Sequence, residues 1–478
     1  MHATTVLILC NVGSRDVMIQ GKPPAPAREE GDRLLQEYDA VAPQLTFPII
    51  EPCLRYILAR HPSASFRLIL LGTDQPDSNY RSTDTLHFAE LAARRLPDLF
   101  PGLNAQYEYI QNINPSLYDE AFEWFGRLLA DLSRTEVDCC YAIISGGTPA
   151  CNTALLLQGV RLFGDRLRAV YLPQGREPLE LRAGQQIINA FREAAAVEHL
   201  ERLDFANALP QLERLQAPPG LIGLARYAAF RLAFDFRSAQ EALEAALRDG
   251  DPPVRDFIAR YLRHDLDTLL EGTGPARLAA LLRELYWNTV ITWEHRRYAD
   301  FLGRVYRFQE AVLRYLVEAL FGLSTDLSPA VREENQRRWE ETIAANPPLL
   351  AYLQTREVDG QPLDWRTIAR PTYKALLSYA TDETLGQHAD GSPILSSKDR
   401  DRYAALLREV NQLDPLVELR HRTIIGHDFE GVSEEQIRQK YDEPLKGLRN
   451  IMGMLGINVR ENPYRTVAEF VIRKLREA

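Results

Sequence analysis

A chain of 478 residues is too long for one hydrophobic core and predicts two or three domains. Hydrophobic residues make up 45% and charged residues 26%, the composition of an ordinary soluble globular protein. The net charge of −10 excludes any whole-molecule electrostatic pull on nucleic acid, so contact with RNA or DNA needs a local basic patch. Two segments offer one: Arg332, Arg337 and Arg338, where a solvated helix face is the expected reading, and Arg420 with Arg422.

Residues 4–10 form a nearly continuous apolar run rich in Val, Ile and Leu, the pattern of a strand buried on both faces. No basic n-region or cleavage site accompanies it, so it reads as a first strand and not as a signal peptide. Further strands are predicted at 66–71, 105–110, 139–144 and 167–172, with helices between them at 30–38, 52–60, 83–96, 115–133 and 149–163. Alternation of strands with helices predicts a doubly wound parallel sheet, an α/β fold whose ligands bind outside the carboxyl ends of the strands. The five cysteines, Cys10, Cys53, Cys139, Cys140 and Cys151, lie in or beside these apolar runs without metal-ligand spacing. That usage fits reduced, buried thiols and a cytoplasmic protein. No run approaches the length of a membrane span.

Small and amide-bearing residues follow each strand: Asn11, Gly13 and Ser14 after the first, Gly72, Thr73, Asp74 and Gln75 after the second, and Asn114 after the third. After the fourth comes Ser145-Gly146-Gly147-Thr148-Pro149, with Asn152 just beyond. The glycines allow close backbone approach, Thr148 can cap, and Pro149 starts a helix whose N-terminus suits a phosphate or other anion. A plain tight turn explains the glycines equally well. The loop is neither a Walker loop, since no Lys follows the glycines, nor a dinucleotide fingerprint.

From about residue 174 the pattern becomes helical, with helices predicted at 185–203, 221–247, 254–270, 277–287 and 298–321. Pro-rich loops punctuate them.

The stretch from Asp414 to Phe429 predicts one helix of about three turns, with Asp414 as N-cap, Pro415 in the first turn and Gly426 as the stop. At roughly 100° per residue, Leu416, Val417, Leu419, Thr423 and Ile424 share an apolar arc into which Arg420 and His427 also fall. His421 and Arg422 point elsewhere in that reading. A cation on a face that wants burial needs a partner or a task; the structural alternative is a paired Arg420 and a His427 that answers the helix dipole.

The α/β segment with its Ser-Gly-Gly-Thr-Pro turn and Asn152, the helical remainder, and an Arg separated from a His by four to six intervening residues together resemble the CARF-HEPN ancillary ribonucleases of type III CRISPR systems. The resemblance spans the chain. It implies a Rossmann-like CARF domain at 1–178, a helical connector at 179–285 and an all-helical HEPN domain at 286–478. It implies a homodimer that binds cyclic oligoadenylate, tetra- or hexa-adenylate, as allosteric activator. It also implies a composite HEPN site that cuts single-stranded RNA without metal, and no stable association with the CRISPR effector complex.

The implied catalytic residues are Arg420, His421, Arg422 and His427. The implied messenger contacts are Asn11, Gly13, Ser14, Gly72, Thr73, Asp74, Gln75, Asn114, Ser145, Gly146, Gly147, Thr148 and Asn152. Many family members carry Asn directly after the Arg, whereas His421 and Thr423 stand here, so the spacing leaves Arg420 and Arg422 both open. Ring size of the messenger, and whether the CARF pocket cleaves it, stay open too. The competing reading is a non-catalytic ligand-sensing regulator whose helical module binds a partner or DNA. The net charge and the lack of a strongly basic terminal helix weigh against it. A nucleotide-dependent metabolic enzyme would need the missing Walker or glycine fingerprint.

Overall fold

A computed structural model describes residues 4–358 and 360–477. The chain forms two compact units, 1–192 and 193–478.

In the first unit, strands β1 (Thr5–Asn11), β2 (Ser65–Asp74), β3 (Leu103–Gln111), β4 (Cys139–Ile143), β5 (Leu167–Tyr171) and β6 (Leu179–Leu181) make one sheet in the order β3-β2-β1-β4-β5-β6. The first five run parallel, and β6 pairs antiparallel with β5 at the edge. The five predicted strands are all present to within three residues at either end. Strand β6 was not predicted.

Alternation along β1 explains the layering, because successive side chains point to opposite faces. Val6, Ile8 and Cys10 pack with helices α1 (Ala27–Gln36), α2 (Ile50–Leu58) and α3 (Leu86–Leu99). Leu7 and Leu9 face the other way, onto α4 (Tyr118–Ser133) and α5 (Pro149–Phe163). Every one of these five β1 residues is essentially inaccessible. Truncating any of the leucines to Ala would cost about 2 to 5 kcal/mol. Asn11 sits at the carboxyl end of β1, where β2 lies on one side and β4 on the other. Strand order reverses there, and that crevice is the usual ligand position of such a sheet.

Among the described residues, the regular structure of the second unit is helical apart from a two-residue strand pair at Glu357–Val358 and Gln361–Pro362, which was not expected. The helix predicted at 221–247 is two, Pro219–Leu232 and Phe236–Asp249. Phe234 takes a left-handed conformation, and the Asp235 carboxylate accepts the Ser238 N–H at 3.1 Å, so a new N-cap interrupts the period. The helix predicted at 254–270 likewise breaks at Leu262 into Pro252–Tyr261 and Arg263–Glu271.

Helix α6 (Gly274–Glu294) packs on α7 (Tyr298–Phe321), whose Phe301, Val305, Phe308, Val312 and Leu316 are buried. Gly322, left-handed, closes α7. Within this core Arg231 is wholly buried and donates to Glu284, to which Tyr464 also donates at 2.6 Å. A charge so enclosed is tolerable only because its fork is matched by a carboxylate.

Candidate functional site

At the carboxyl end of the sheet, the β1 and β4 loops meet. Asn11 Nδ2 donates to Asn152 Oδ1 at 2.9 Å, while Asn11 Oδ1 is buried without a partner. Gly146 is buried against the Asn11 carbonyl and the Asp16 carboxylate, and a Cβ there would overlap both. Gly147 is left-handed at φ +72° and rests on the Asn11 side chain. These contacts require glycine for close approach. Thr148 caps α5 as expected, accepting the Cys151 N–H at 3.1 Å, so one of that helix's free N–H groups is already satisfied.

Asn11, Gly13, Gly146, Gly147, Thr148 and Asn152 are therefore brought together, and Ser14 is exposed beside them. The remaining predicted contacts are engaged elsewhere. The Thr73 N–H bonds Thr85 Oγ1 at 3.1 Å, and Gln75 is held by Asp84 through its N–H (3.1 Å) and Nε2 (3.0 Å). Asp74 pairs with Arg28, and a Cβ on Gly72 would overlap the first turn of α3. Asn114 Oδ1 accepts the Ser116 N–H, and Ser145 Oγ accepts the Leu172 N–H at 2.6 Å.

Sequence reasoning passed over Asp16. Its carboxylate accepts the Gly13 N–H at 2.6 Å, it is 1% exposed, and it lies under Gly146. Burial pushes its pKa up to about 6, opposed by the Gly13 bond.

In the second unit the predicted three-turn helix is shorter: α9 runs only over Asp414–His421 and packs on α7. (Helix α8, Arg370–Thr381, lies between them in sequence.) Leu413, not Asp414, is the N-cap. The Asp414 carboxylate instead accepts from Arg370 (2.6 Å), Lys374 (2.8 Å) and Gln309 (2.8 Å). The helix stops because Thr423 Oγ1 and N–H both take the Arg420 carbonyl, at 2.8 and 3.0 Å. Two β-branched residues follow, and Gly426 folds back onto the helix end, where a Cβ would overlap the Arg420 carbonyl.

The turn changes which side chains meet. The His427 N–H donates to the His421 carbonyl at 3.0 Å, and the two imidazoles lie parallel, 5.4 Å apart with 13° between planes. The expectation that Arg420 and His427 share one helical face, with His421 directed away, is thus corrected: a turn and not a periodicity places His427, and its neighbour is His421. Arg420 bonds the Ile425 carbonyl at 3.0 Å and lies over the Tyr306 ring of α7 at 4.6 Å. Gly303, one turn earlier in α7, lets Ile425 come close. Arg422 pairs with Glu430 at 2.7 Å. Of the apolar arc, Thr423 is buried but Ile424 is 70% exposed, as is Phe429 at 88%.

Partial desolvation, and then the charges of Arg420, His427 and Arg370, hold the His421 pKa below the ordinary imidazole value. Tyr306, Arg370 and Lys374 carry no local motif and come from distant segments, so no sequence signal marked them. The other basic segment is quiet, since Arg337 and Arg338 both face Glu334 on the exposed side of one helix. Among the described residues no cluster of three or more His, Cys, Asp or Glu is placed to hold a metal ion, and no helix is long and apolar enough to cross a membrane.

No protein-family model and no curated protein matches the chain. Among solved structures it is similar to Enterococcus italicus Csm6 bound to cyclic hexa-2′-fluoro-hexa-dAMP, with a TM-score of 0.53 at 12% identity over 99% of this chain and 100% of that one. An α/β unit with a parallel sheet, followed by a helical unit, is therefore a fold that this chain shares with Csm6.

Proposed function

We propose that the protein is a cyclic-oligoadenylate-activated endoribonuclease of type III CRISPR defence. The messenger binds at the β1/β4 crevice of the CARF unit, and single-stranded RNA is cut at a composite HEPN site in a homodimer. The observation that carries this reading is the stacked His421/His427 pair beside Arg420, in a chain that shares its fold with a protein bound to a cyclic oligoadenylate analogue.

RNA carries its own nucleophile. The O2′–H proton passes to a neutral imidazole as the O2′–P bond forms; the P–O5′ bond breaks and the leaving oxygen takes a proton from a second, charged imidazole. The products are a 2′,3′-cyclic phosphate and a 5′-hydroxyl, and no metal is required. The lowered pKa of His421 keeps it neutral at pH 7 and suits it to the base role, worth about 10² to 10⁴-fold. His427, the other ring of the stacked pair, then serves the leaving oxygen. Arg420 stabilises the charge that develops on the phosphorane oxygens through its planar fork. Arg420 is preferred to Arg422 because Arg422 already faces Glu430, whereas Arg420 has only a carbonyl and a ring as partners among the described residues.

In the sensor unit, the buried, unpartnered Asn11 Oδ1 is an acceptor of the kind that reads an adenine amino group or a ribose hydroxyl. Exposed Ile424 and Phe429 flank the histidines and favour cover by a second subunit. Messenger binding stabilises the dimer geometry in which the site is competent.

The test is cleavage of labelled single-stranded RNA in EDTA, with cyclic tetra- or hexa-adenylate or neither, comparing wild type with His427→Ala. Messenger-dependent cutting that disappears in the variant is expected. A folded dimer that never cuts under either messenger would leave a non-catalytic sensor.

A further inference from the structure

We propose that Arg370 is a second phosphate ligand of the His421/His427 site, engaging a phosphodiester of single-stranded RNA next to the one held by Arg420. The inference rests on the ribonuclease reading and adds a residue which that reading does not need.

Four observations converge on it. Arg370 and Arg420 come from different helices, yet both guanidiniums lie over the Tyr306 ring, at 5.8 and 4.6 Å. Two like charges drawn to one aromatic ring repel each other, and the ring's quadrupole offsets only part of that. Arg370 shares its carboxylate as well: Asp414 accepts from Arg370 at 2.6 Å and from Lys374 at 2.8 Å, so two cations face one anion. Neighbouring Arg307 and Arg422 each have their own carboxylate, Glu310 and Glu430. Against Arg370, Lys374 and Arg420 stand the carboxylates of Asp414 and of Glu418, whose charge is felt at His421 in the opposite direction, and a positive surplus remains.

Neither guanidinium is saturated. Each spends one terminal nitrogen on the protein, and the Nε of each is buried with no partner. The second terminal nitrogen of each fork has no hydrogen-bond partner among the described residues, and an anion with several oxygens is the chemistry that engages two such forks. The charge of Arg370 is also felt at His421, in the same direction as that of Arg420. Single-stranded RNA repeats its phosphates along the strand, so a second fork beside the first grips the next phosphodiester and fixes the strand's direction through the site. Asp414 positions Arg370 at the start of α8, and α7 supplies the Tyr306 platform.

The experiment separates binding from chemistry. Fluorescent single-stranded RNA is titrated onto full-length His427→Ala protein with cyclic hexa-adenylate and, in parallel, cyclic tetra-adenylate, at several salt concentrations. Adding Arg370→Gln is expected to weaken binding roughly ten- to hundredfold, as for a lost charge-assisted contact. It is also expected to flatten the slope of log K against log salt by about 0.7, the value for one phosphate on a single strand. In the active protein the same change raises KM far more than it lowers kcat. Arg370→Lys keeps the slope and recovers only part of the affinity, because a point charge replaces a fork.

An Arg370→Gln protein with wild-type thermal midpoint, slope and KM would reduce Arg370 to a structural partner of Asp414. If that variant does not fold, Arg370→Lys decides, and a wild-type KM in it overturns the proposal. A wild-type protein that neither binds nor cuts RNA sinks the ribonuclease reading itself, and the role of Arg370 with it.

Discussion

Replacing Asp16 with asparagine removes one negative charge from beneath Gly146 and leaves the side chain's shape and its acceptor for the Gly13 N–H in place. Burial raises the Asp16 pKa from 3.8 to about 6. A pKa raised by folding means that the folded chain holds the proton more tightly than the unfolded one. Its stabilising contribution is complete below the ordinary carboxylate value and is lost as pH rises through about 6. Two pKa units at 1.36 kcal/mol each put that contribution at about 3 kcal/mol. The variant, which has no charge to desolvate, is therefore expected to match wild type near pH 4 and to exceed it by up to about 3 kcal/mol at pH 8. All five cysteines lie in the same unit as Asp16, and Cys10, Cys53, Cys140 and Cys151 are buried. Their reaction with a dipyridyl disulfide across a urea series thus follows the unfolding of this unit alone in the full chain, at acid and neutral pH. A difference between variant and wild type that is the same at pH 4 and pH 8 would refute the argument. So would a variant that is less stable at pH 8.

Gly146→Ala forces a Cβ into the Asn11 carbonyl and the Asp16 carboxylate, at a cost of about 1 to 3 kcal/mol. It is expected to abolish messenger binding, read by calorimetry with cyclic hexa- and tetra-adenylate. Phe429→Asp replaces an 88% exposed ring with a charge, so the protomer's fold, read by far-UV circular dichroism, should be kept. Sedimentation should nevertheless show a weaker dimer, and messenger-stimulated RNA cleavage should fall with it. Glu284→Ala removes the carboxylate matched to the buried Arg231 fork and leaves only the longer Asp265 pair at 3.6 Å, so it should destabilise the helical unit by up to about 3 kcal/mol, measured by urea unfolding followed through tryptophan fluorescence, since all the tryptophans but Trp124 lie in that unit.

The central parallel strands were legible because a strand buried on both faces must be apolar along its middle, as β1 is from Val6 to Cys10 and β4 throughout. Strand β6 escaped because Leu-Glu-Leu, three residues at an antiparallel edge with one face toward solvent, leaves no run to detect. Helix count failed where an Asp cap or a left-handed residue interrupted an unbroken apolar period, as at Phe234 and Asp235. Periodicity records which positions want burial; it does not record where the backbone finds a better hydrogen-bond partner than the next turn.

The same distinction governs the candidate site. Glycines and a Thr-Pro cap announced the β4 loop, because close approach and capping demand particular residue types at adjacent positions. Asp16 could not be read in the same way, since a carboxylate in a loop is ordinarily solvated and only the fold of the β1 loop encloses it. The error after Asp414 was of another kind. A helix continued to Gly426 would turn His427 toward Arg420 and His421 away, but one hydroxyl, Thr423 Oγ1, takes the Arg420 carbonyl and the chain reverses. That bond is local, yet its outcome depends on Ile425 finding room beside Gly303 of α7, a contact between segments far apart in sequence. The motif's residue types were therefore legible and its geometry was not. On the ribonuclease reading proposed above, that geometry matters because the stacked His421 and His427 offer a base and an acid within one protomer.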